Sequence, residues 1–229
     1  MISSLRMFYT SVGRKLVMAL TGLFLCTFLL EHLYGNLQLY KMDGGTAFNE
    51  YGEFLVNNII IRTVEYLLFG GILLHAVDGL YLTYRNRKAR PVRYAVNRAS
   101  TNSSWFSRNM GLSGSVILVF LVVHLRTFFV PHRLEGVESS MAMDVASAFQ
   151  SPAYAMLYVV AMLLLGAHLN HGFQSAFQTM GWNNHKYANP LRTIGTLFAL
   201  LVTVGFSSFP ILFHFDIFGV ASNILQNGL

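Results

Sequence analysis

Five stretches of the chain, roughly residues 15–39, 59–84, 110–130, 153–180 and 191–213, are each long and apolar enough to cross a bilayer as a tilted helix; about 20 predominantly apolar residues suffice. That pattern leaves few folds open. Lipid offers backbone groups no hydrogen-bond partner, so each stretch must pair its own N–H and C=O groups, and a helix does this. Of the 229 residues, 54% are hydrophobic and 11% charged, whereas a soluble domain carries about 25% charged residues. The expected fold is an all-α integral membrane protein. It is a single domain over residues 1–229, with five transmembrane helices in a bundle and no room between them for a large soluble domain.

The first stretch follows Arg14 and Lys15, as the apolar core of a signal peptide follows basic residues. It continues to about Leu39, however, past the usual core of roughly 7–15 residues, and shows no clear small-x-small cleavage site. It is expected to remain as a membrane anchor. The single cysteine, Cys26, allows no intramolecular disulfide. With no C-x-x-C-H and no cysteine pair, covalent c-type haem and zinc-ribbon sites drop out.

Charge in the connections predicts orientation. Arg85, Arg87, Lys88, Arg90, Arg93, Arg98 and Arg108 lie between the second and third stretches, with no acid among them. Arg6, Arg14 and Lys15 precede the first stretch, and Lys186 and Arg192 flank the fourth-to-fifth connection. The opposite connections carry Lys41 and Arg133 against Asp43, Glu50, Glu53, Glu135, Glu138 and Asp144. The positive-inside rule then puts the N-terminus in the cytoplasm and the C-terminus outside. The Arg85–Arg108 run reads first as this topology signal and as contact with lipid headgroups.

Four histidines, His32, His75, His124 and His168, fall one in each of the first four stretches. Ionisable residues at such depth face the bundle interior and mark function. One of them alone could be a hydrogen-bonded core residue, but four call for a common explanation. At about 1.5 Å per residue, they divide into an outer pair, His32 with His124, and an inner pair, His75 with His168. Two imidazoles facing each other across a bundle are axial ligands for one haem iron, so two levels imply two b-type haems. A di-iron bundle would need Glu-x-x-His motifs, and Glu31 adjoins His32 directly. His168-x-x-His171 lacks the glutamate and spacing of H-E-x-x-H zinc sites. A haem-free transporter moving protons on its histidines stays open as a reading, although it would be expected to have acids at the midplane. Bis-histidine ligation leaves the iron no open position, which points to electron transfer.

The motifs narrow this further. One ligand on each of four helices differs from the cytochrome b of bc complexes, where two helices carry both haems. The segments "SVGRKLVMALTGLFL" and "EHLYGNL" in the first helix, and "HLNHGFQSAFQTMGW" (168–182) in the fourth, resemble the di-haem cytochrome b subunit of succinate dehydrogenases and fumarate reductases, of the cytochrome b558 type. The resemblance covers residues 10–213. It implies His32 and His124 on an outer haem b and His75 and His168 on an inner one. It also implies a flavoprotein, which holds the succinate site, and an iron–sulfur subunit, both docked on the cytoplasmic face. Electrons would pass through the haems to a quinone, generally menaquinone, in a multi-pass subunit of a prokaryotic cytoplasmic membrane. No nucleic-acid partner is expected. The chain would be the anchor of a succinate:menaquinone oxidoreductase; the alternatives are a quinol:fumarate reductase anchor or the cytochrome b anchor of a hydrogenase or formate dehydrogenase. Some relatives carry a glutamate two residues before the fourth-helix ligand, where this chain has Gly166.

Other residues have two readings each. His171 could meet an inner-haem propionate or a backbone partner. Asp78 could orient a ligand or pair with Arg85. Arg126 could neutralise an outer-haem propionate or snorkel to the interface. Gly22, Gly70, Gly71, Gly114 and Gly166 are expected to permit close approach of helices or porphyrin. A quinone site beside the outer haem would draw on Glu31, Glu50, Glu53 and Glu65. Glu50 and Glu53 could equally be solvated loop acids, whereas Glu31 and Glu65 lie deep enough to need a partner or a proton.

Overall fold

The computed structural model describes residues 10–89, 105–137, 139–182, 184 and 186–227, and among them it has helices and no strand. The helices are α1 (Ser11–Leu37), α2 (Thr46–Asn57), α3 (Ile59–Lys88), α4 (Met110–Arg133), α5 (Met141–Ala148), α6 (Pro152–Thr179), α7 (Ala188–His214) and α8 (Val220–Asn227). Five of them, α1, α3, α4, α6 and α7, are long and apolar enough to cross a membrane. This is a multi-pass membrane protein. Arg6, Arg90, Arg93, Arg98 and Glu138 lie outside the described residues.

Helix starts follow local chemistry. The Thr10 hydroxyl accepts from Gly13 N–H at the start of α1, and the Asn58 side chain accepts from Ile60 and Ile61 N–H at the start of α3, each satisfying otherwise orphaned donors. Pro152 opens α6, where its missing N–H costs nothing. In α4 the ladder widens into a π turn over Leu125–Phe129, just before Pro131, whose ring would crowd the Thr127 carbonyl of a regular helix.

Four of the spanning helices form a ring. α1 packs on α3 and α6, and α4 packs on the same two. α1 therefore faces α4 across the centre, and α3 faces α6. α7 lies outside the ring, packed mainly on α6 and also touching α1. Helices in lipid gain little from burying apolar surface against one another, so their contact depends on small residues that allow close approach. At Gly166 a Cβ would collide with the Thr203 hydroxyl of α7, and at Gly195 it would come within 2.7 Å of the Phe173 ring. No glutamate fits at 166 while α7 sits here. Gly71 likewise meets Phe24 of α1, whereas Gly70 is exposed and has no other helix within 4 Å, so it serves no helix contact within the bundle. Ile59, Leu67, Leu73, Val119, Leu163 and Val204 are all exposed on the outside of the bundle, where lipid would cover them.

One end of the bundle is closed by α2, α5 and α8, segments that by sequence looked like plain connections. α5 packs on both α2 and α8, around a core that includes Leu39, Ala142, Ala146, Phe149, Phe213 and Ile224. Asn49 ties α2 to the start of α5, accepting from Ala142 N–H at 3.0 Å and donating to the Ser140 hydroxyl at 2.8 Å. Asn223 of α8 accepts from Gly44 N–H at 2.8 Å. This is the capped end. The opposite, basic end carries Arg14, Lys88, Arg108, Lys186 and Arg192.

Candidate functional site: two histidine pairs inside the bundle

The four histidines sit on the four helices of the ring, and they meet across its two diagonals. Toward the capped end, His32 of α1 and His124 of α4 have ring centres 5.8 Å apart with planes at 86°. Toward the basic end, His75 of α3 and His168 of α6 have centres 6.4 Å apart with planes at 73°. The structure thus brings together the same two pairs that helix depth suggested. No third His, Cys, Asp or Glu joins either pair to form a three-ligand cluster among the described residues.

Hydroxyl groups on neighbouring helices set the tautomers. The Thr21 hydroxyl donates its one proton to the Val17 carbonyl at 2.7 Å. It can therefore only accept from His75, whose Nδ1 is 3.1 Å away. Ser113 likewise donates to the Met110 carbonyl at 3.1 Å and accepts from His168 Nδ1 over a long 3.4 Å. Both imidazoles then carry their proton on Nδ1 and a free lone pair on Nε2, as a metal-bound histidine requires. His124 Nδ1 lies 3.0 Å from the Tyr158 hydroxyl. His32 has aromatic neighbours instead, with Phe28 stacked at 5.3 Å and Phe206 tilted at 5.5 Å.

Glycines face the basic-end pair. A Cβ on Gly22 of α1 would stand 3.2 Å from His75 Cε1, and one on Gly114 of α4 would stand 3.4 Å from His168 Cε1. A Cβ at Gly22 would crowd the His75 imidazole, whereas one at Gly114 would just touch that of His168.

Asp78, one turn from His75 toward the basic end, is buried and pairs with Arg14 at 3.0 Å. The partner is not Arg85. Packing of α1 against α3 brings Arg14 alongside, over the Tyr81 ring at 4.0 Å, whereas the Arg85 guanidinium stands 5.9 Å from that ring. Arg14 Nε and Asp78 Oδ2 are buried without hydrogen-bond partners. His171, one turn beyond His168, is half-buried and near enough to interact with it electrostatically.

The acids at the capped end differ from one another. Glu65 of α3 is bound by both its oxygens to Arg133 of α4, at 2.9 and 2.7 Å, which supplies the partner its depth demands. Glu31 accepts from the Tyr51 hydroxyl of α2 at 2.9 Å. Burial first, and then the hydrogen bond and charge of Glu31, push the Tyr51 phenol up to about 12, so it stays protonated and donates. Glu50 and Glu53 are exposed on α2. Arg126 points outward and pairs with Glu135 at 3.2 Å, both well exposed.

Sequence reasoning missed Thr21, Ser113, Tyr158, Arg14, Tyr51 and Arg133 as partners. Each acts on a residue of another helix, and no local spacing records that. The chain matches no family model, no curated protein and no solved structure.

Proposed function

We propose that this chain is the di-haem cytochrome b membrane anchor of a succinate:menaquinone oxidoreductase. The observation that carries the haem reading is the pair of histidine couples spanning the two diagonals of the four-helix ring. Each couple brings two imidazoles from opposite helices of the ring face to edge, with centres 5.8 and 6.4 Å apart, and such a couple would supply two nitrogen ligands to one haem iron.

The residues present suit a haem. Each couple supplies two neutral nitrogen donors, and a porphyrin brings the other four. Nδ1 of His75, His168 and His124 is held by a hydroxyl, and Gly22 and Gly114 keep side chains away from the basic-end imidazoles. The unpartnered Nε–H of Arg14, which pairs with Asp78 one turn from His75, is a buried donor of the kind a propionate would satisfy. His32 and His124 would hold one haem b and His75 and His168 the other. When bound, the two haems supply one-electron carriers at two levels of the membrane.

The chain's own residues would position, insulate and, at the capped end, handle protons. Reducing a quinone takes protons as well as electrons. The Tyr51–Glu31 pair offers an ionisable carboxylate with a neighbouring donor, while Glu65 is already engaged by Arg133. The basic end would face the cytoplasm and receive the iron–sulfur and flavoprotein subunits. The choice of succinate and menaquinone rests on the resemblance carried by "EHLYGNL" and "HLNHGFQSAFQTMGW".

A reduced-minus-oxidised absorption spectrum of the purified protein, with identification of the subunits that co-purify, tests the proposal. Two b-type haem components and a flavin-bearing succinate-oxidising partner are expected. A purified chain without haem would overturn it, and a hydrogenase or formate dehydrogenase partner would replace its second half.

A further inference from the structure

Behind His124 lies a chain of hydroxyls whose proton order follows from their geometry. The Thr127 hydroxyl is 3.0 Å from the Val123 carbonyl, which can only accept, so Thr127 spends its one proton there. The Tyr154 hydroxyl, 2.8 Å from Thr127 Oγ1, must then donate to it. With that proton committed, Tyr154 can only accept from Tyr158 at 3.1 Å. Tyr158 in turn can only accept from His124 Nδ1 at 3.0 Å. Every proton in the row points away from the imidazole, and His124 is left with its lone pair on Nε2.

The row is rigid. Tyr158 is buried, and its ring packs against Phe120 at 4.8 Å and Phe149 at 5.0 Å. Tyr154 and Tyr158 are one turn apart on α6, while Thr127 and His124 share α4, so the row also couples two neighbouring helices of the ring. Hydrogen bonds in such a series polarise one another in a low-dielectric interior. Each onward donation makes the Tyr158 oxygen a better acceptor for Nδ1–H, and a stronger pull on Nδ1–H makes Nε2 a stronger donor to a metal. The other imidazole of this couple, His32, is flanked by the Phe28 and Phe206 rings, as His124 is by Phe120 and Phe128; the hydroxyl row stands behind His124.

We infer that Tyr158, with Tyr154 and Thr127 behind it, is a positioning relay that locks the His124 tautomer and holds the reduction potential of the capped-end haem below the value His124 would confer unaided; this rests on the di-haem reading above. No bond is made or broken along the relay. The relay protons stay on their atoms, and a haem held by His124 would supply the one-electron chemistry, its ferric state favoured by the stronger Nε2 donor.

Potentiometric titration of the haem-loaded full chain in membranes tests this, with the capped-end component identified as the one lost in His32→Ala. Tyr158→Phe should shift the ferric/ferrous balance of that haem about tenfold toward ferrous, a rise of about 59 mV for one electron, with the basic-end haem unmoved. Tyr154→Phe and Thr127→Val should produce smaller rises, and Thr127→Ser, which keeps the hydroxyl, should restore the native value. Unmoved potentials, equal movement in both haems, or a fall would overturn the relay. If Tyr158→Phe does not assemble, the near-isosteric Thr127→Val and its serine counterpart decide the matter alone. A wild-type chain with no b-type haem would refute the functional reading itself, before any relay variant is made.

Discussion

The two histidine couples share one geometry but have different surroundings. At the basic end, both imidazoles are backed by a single hydroxyl that ends at once on a carbonyl, from Thr21 for His75 and Ser113 for His168. Glycines face the rings there, and a buried Arg14–Asp78 pair lies one turn away. At the capped end the couple is asymmetric: phenyl rings flank both imidazoles, Phe28 and Phe206 at His32 and Phe120 and Phe128 at His124, but the three-hydroxyl row stands behind His124. Among the described residues, accessible acids gather at this second end, with Glu31 on Tyr51 and Glu50 and Glu53 exposed. Under the proposed di-haem reading, this difference would correspond to a division of labour in which the basic end passes electrons and the capped end, where the acids lie, couples them to protons.

Under the di-haem proposal, the largest expected effect is loss of a whole haem. His75→Ala and His168→Ala should each abolish the same spectral component, and His32→Ala and His124→Ala the other, read from reduced-minus-oxidised spectra of assembled protein. If His32→Ala and His75→Ala removed one and the same component, the diagonal pairing would be wrong. Gly22→Val presses a side chain onto His75 and should weaken the basic-end haem selectively, by about 10–100-fold in retention, the usual cost of disturbing a ligand's support. Equal loss of both haems would show that the glycine serves packing alone.

Next comes the functional contrast among the capped-end acids. Glu31→Gln or Tyr51→Phe should slow quinone reduction by about 10²-fold, the lower end of general acid–base contributions. Both haem spectra and succinate oxidation with a soluble acceptor should be unchanged. Glu65→Gln should behave differently, because it strands a largely buried Arg133. Glutamine can still accept one hydrogen bond and Arg133 is 16% exposed, so the cost falls below the about 3–5 kcal/mol of a fully buried unpaired charge; the expected result is a fall in thermal stability of the whole bundle. A selective quinone defect in Glu65→Gln with normal stability would reverse the roles of the two glutamates. Gly166→Glu belongs with this contrast as a structural control. Its side chain collides with Thr203, so it should loosen α7 from α6 and cost about 1–3 kcal/mol by overpacking, without adding a proton path.

Much of this architecture was legible because lipid leaves the chain so little choice. The five spans anticipated from apolar length, such as 15–39 and 59–84, agree with helices Ser11–Tyr40 and Ile59–Lys88 to within about a turn, since backbone pairing in lipid admits only one local structure. Likewise, depth along a straight helix was enough to forecast which histidines meet. The capping layer was not legible. α2, α5 and α8 are short, and what orders them is contact such as Asn49 with Ser140, made across 91 positions. The same holds for Thr21 beside His75 and Arg14 beside Asp78, both partners lying on another helix at similar height. For Asp78 the sequence offers a ligand-orienting role or Arg85 as a salt-bridge partner, and not Arg14, because nearness in sequence is visible and packing of α1 on α3 is not.

The smallest expected effect concerns how the capped end is held closed. Asp216 stands in the turn between α7 and α8, in the left-handed region with φ 46°, and accepts from Ser222 N–H at 3.0 Å. That hydrogen bond, first among the causes, holds its carboxyl below the usual carboxylate range. A carboxylate with a depressed folded-state pKa contributes stability that is fully present above its ordinary pKa and is lost as the pH falls through the depressed value. The first turn of α8 should therefore keep its amide protection unchanged from neutral pH down to the ordinary aspartate range and lose it only in stronger acid. Hydrogen exchange at the Ser222 amide, followed against pH, reads this directly. Asp216→Asn keeps an acceptor but removes the charge, so its protection should start slightly lower and lose the acid transition. Because the group is fully exposed, the change should stay local to α8 and leave the buried contacts of Ile224 and Phe213 intact. If acid instead released α2, α5 and α8 together, the cap would be one cooperative unit, and the asymmetry between the two ends of the bundle would extend from the histidine couples to the layer that covers one of them.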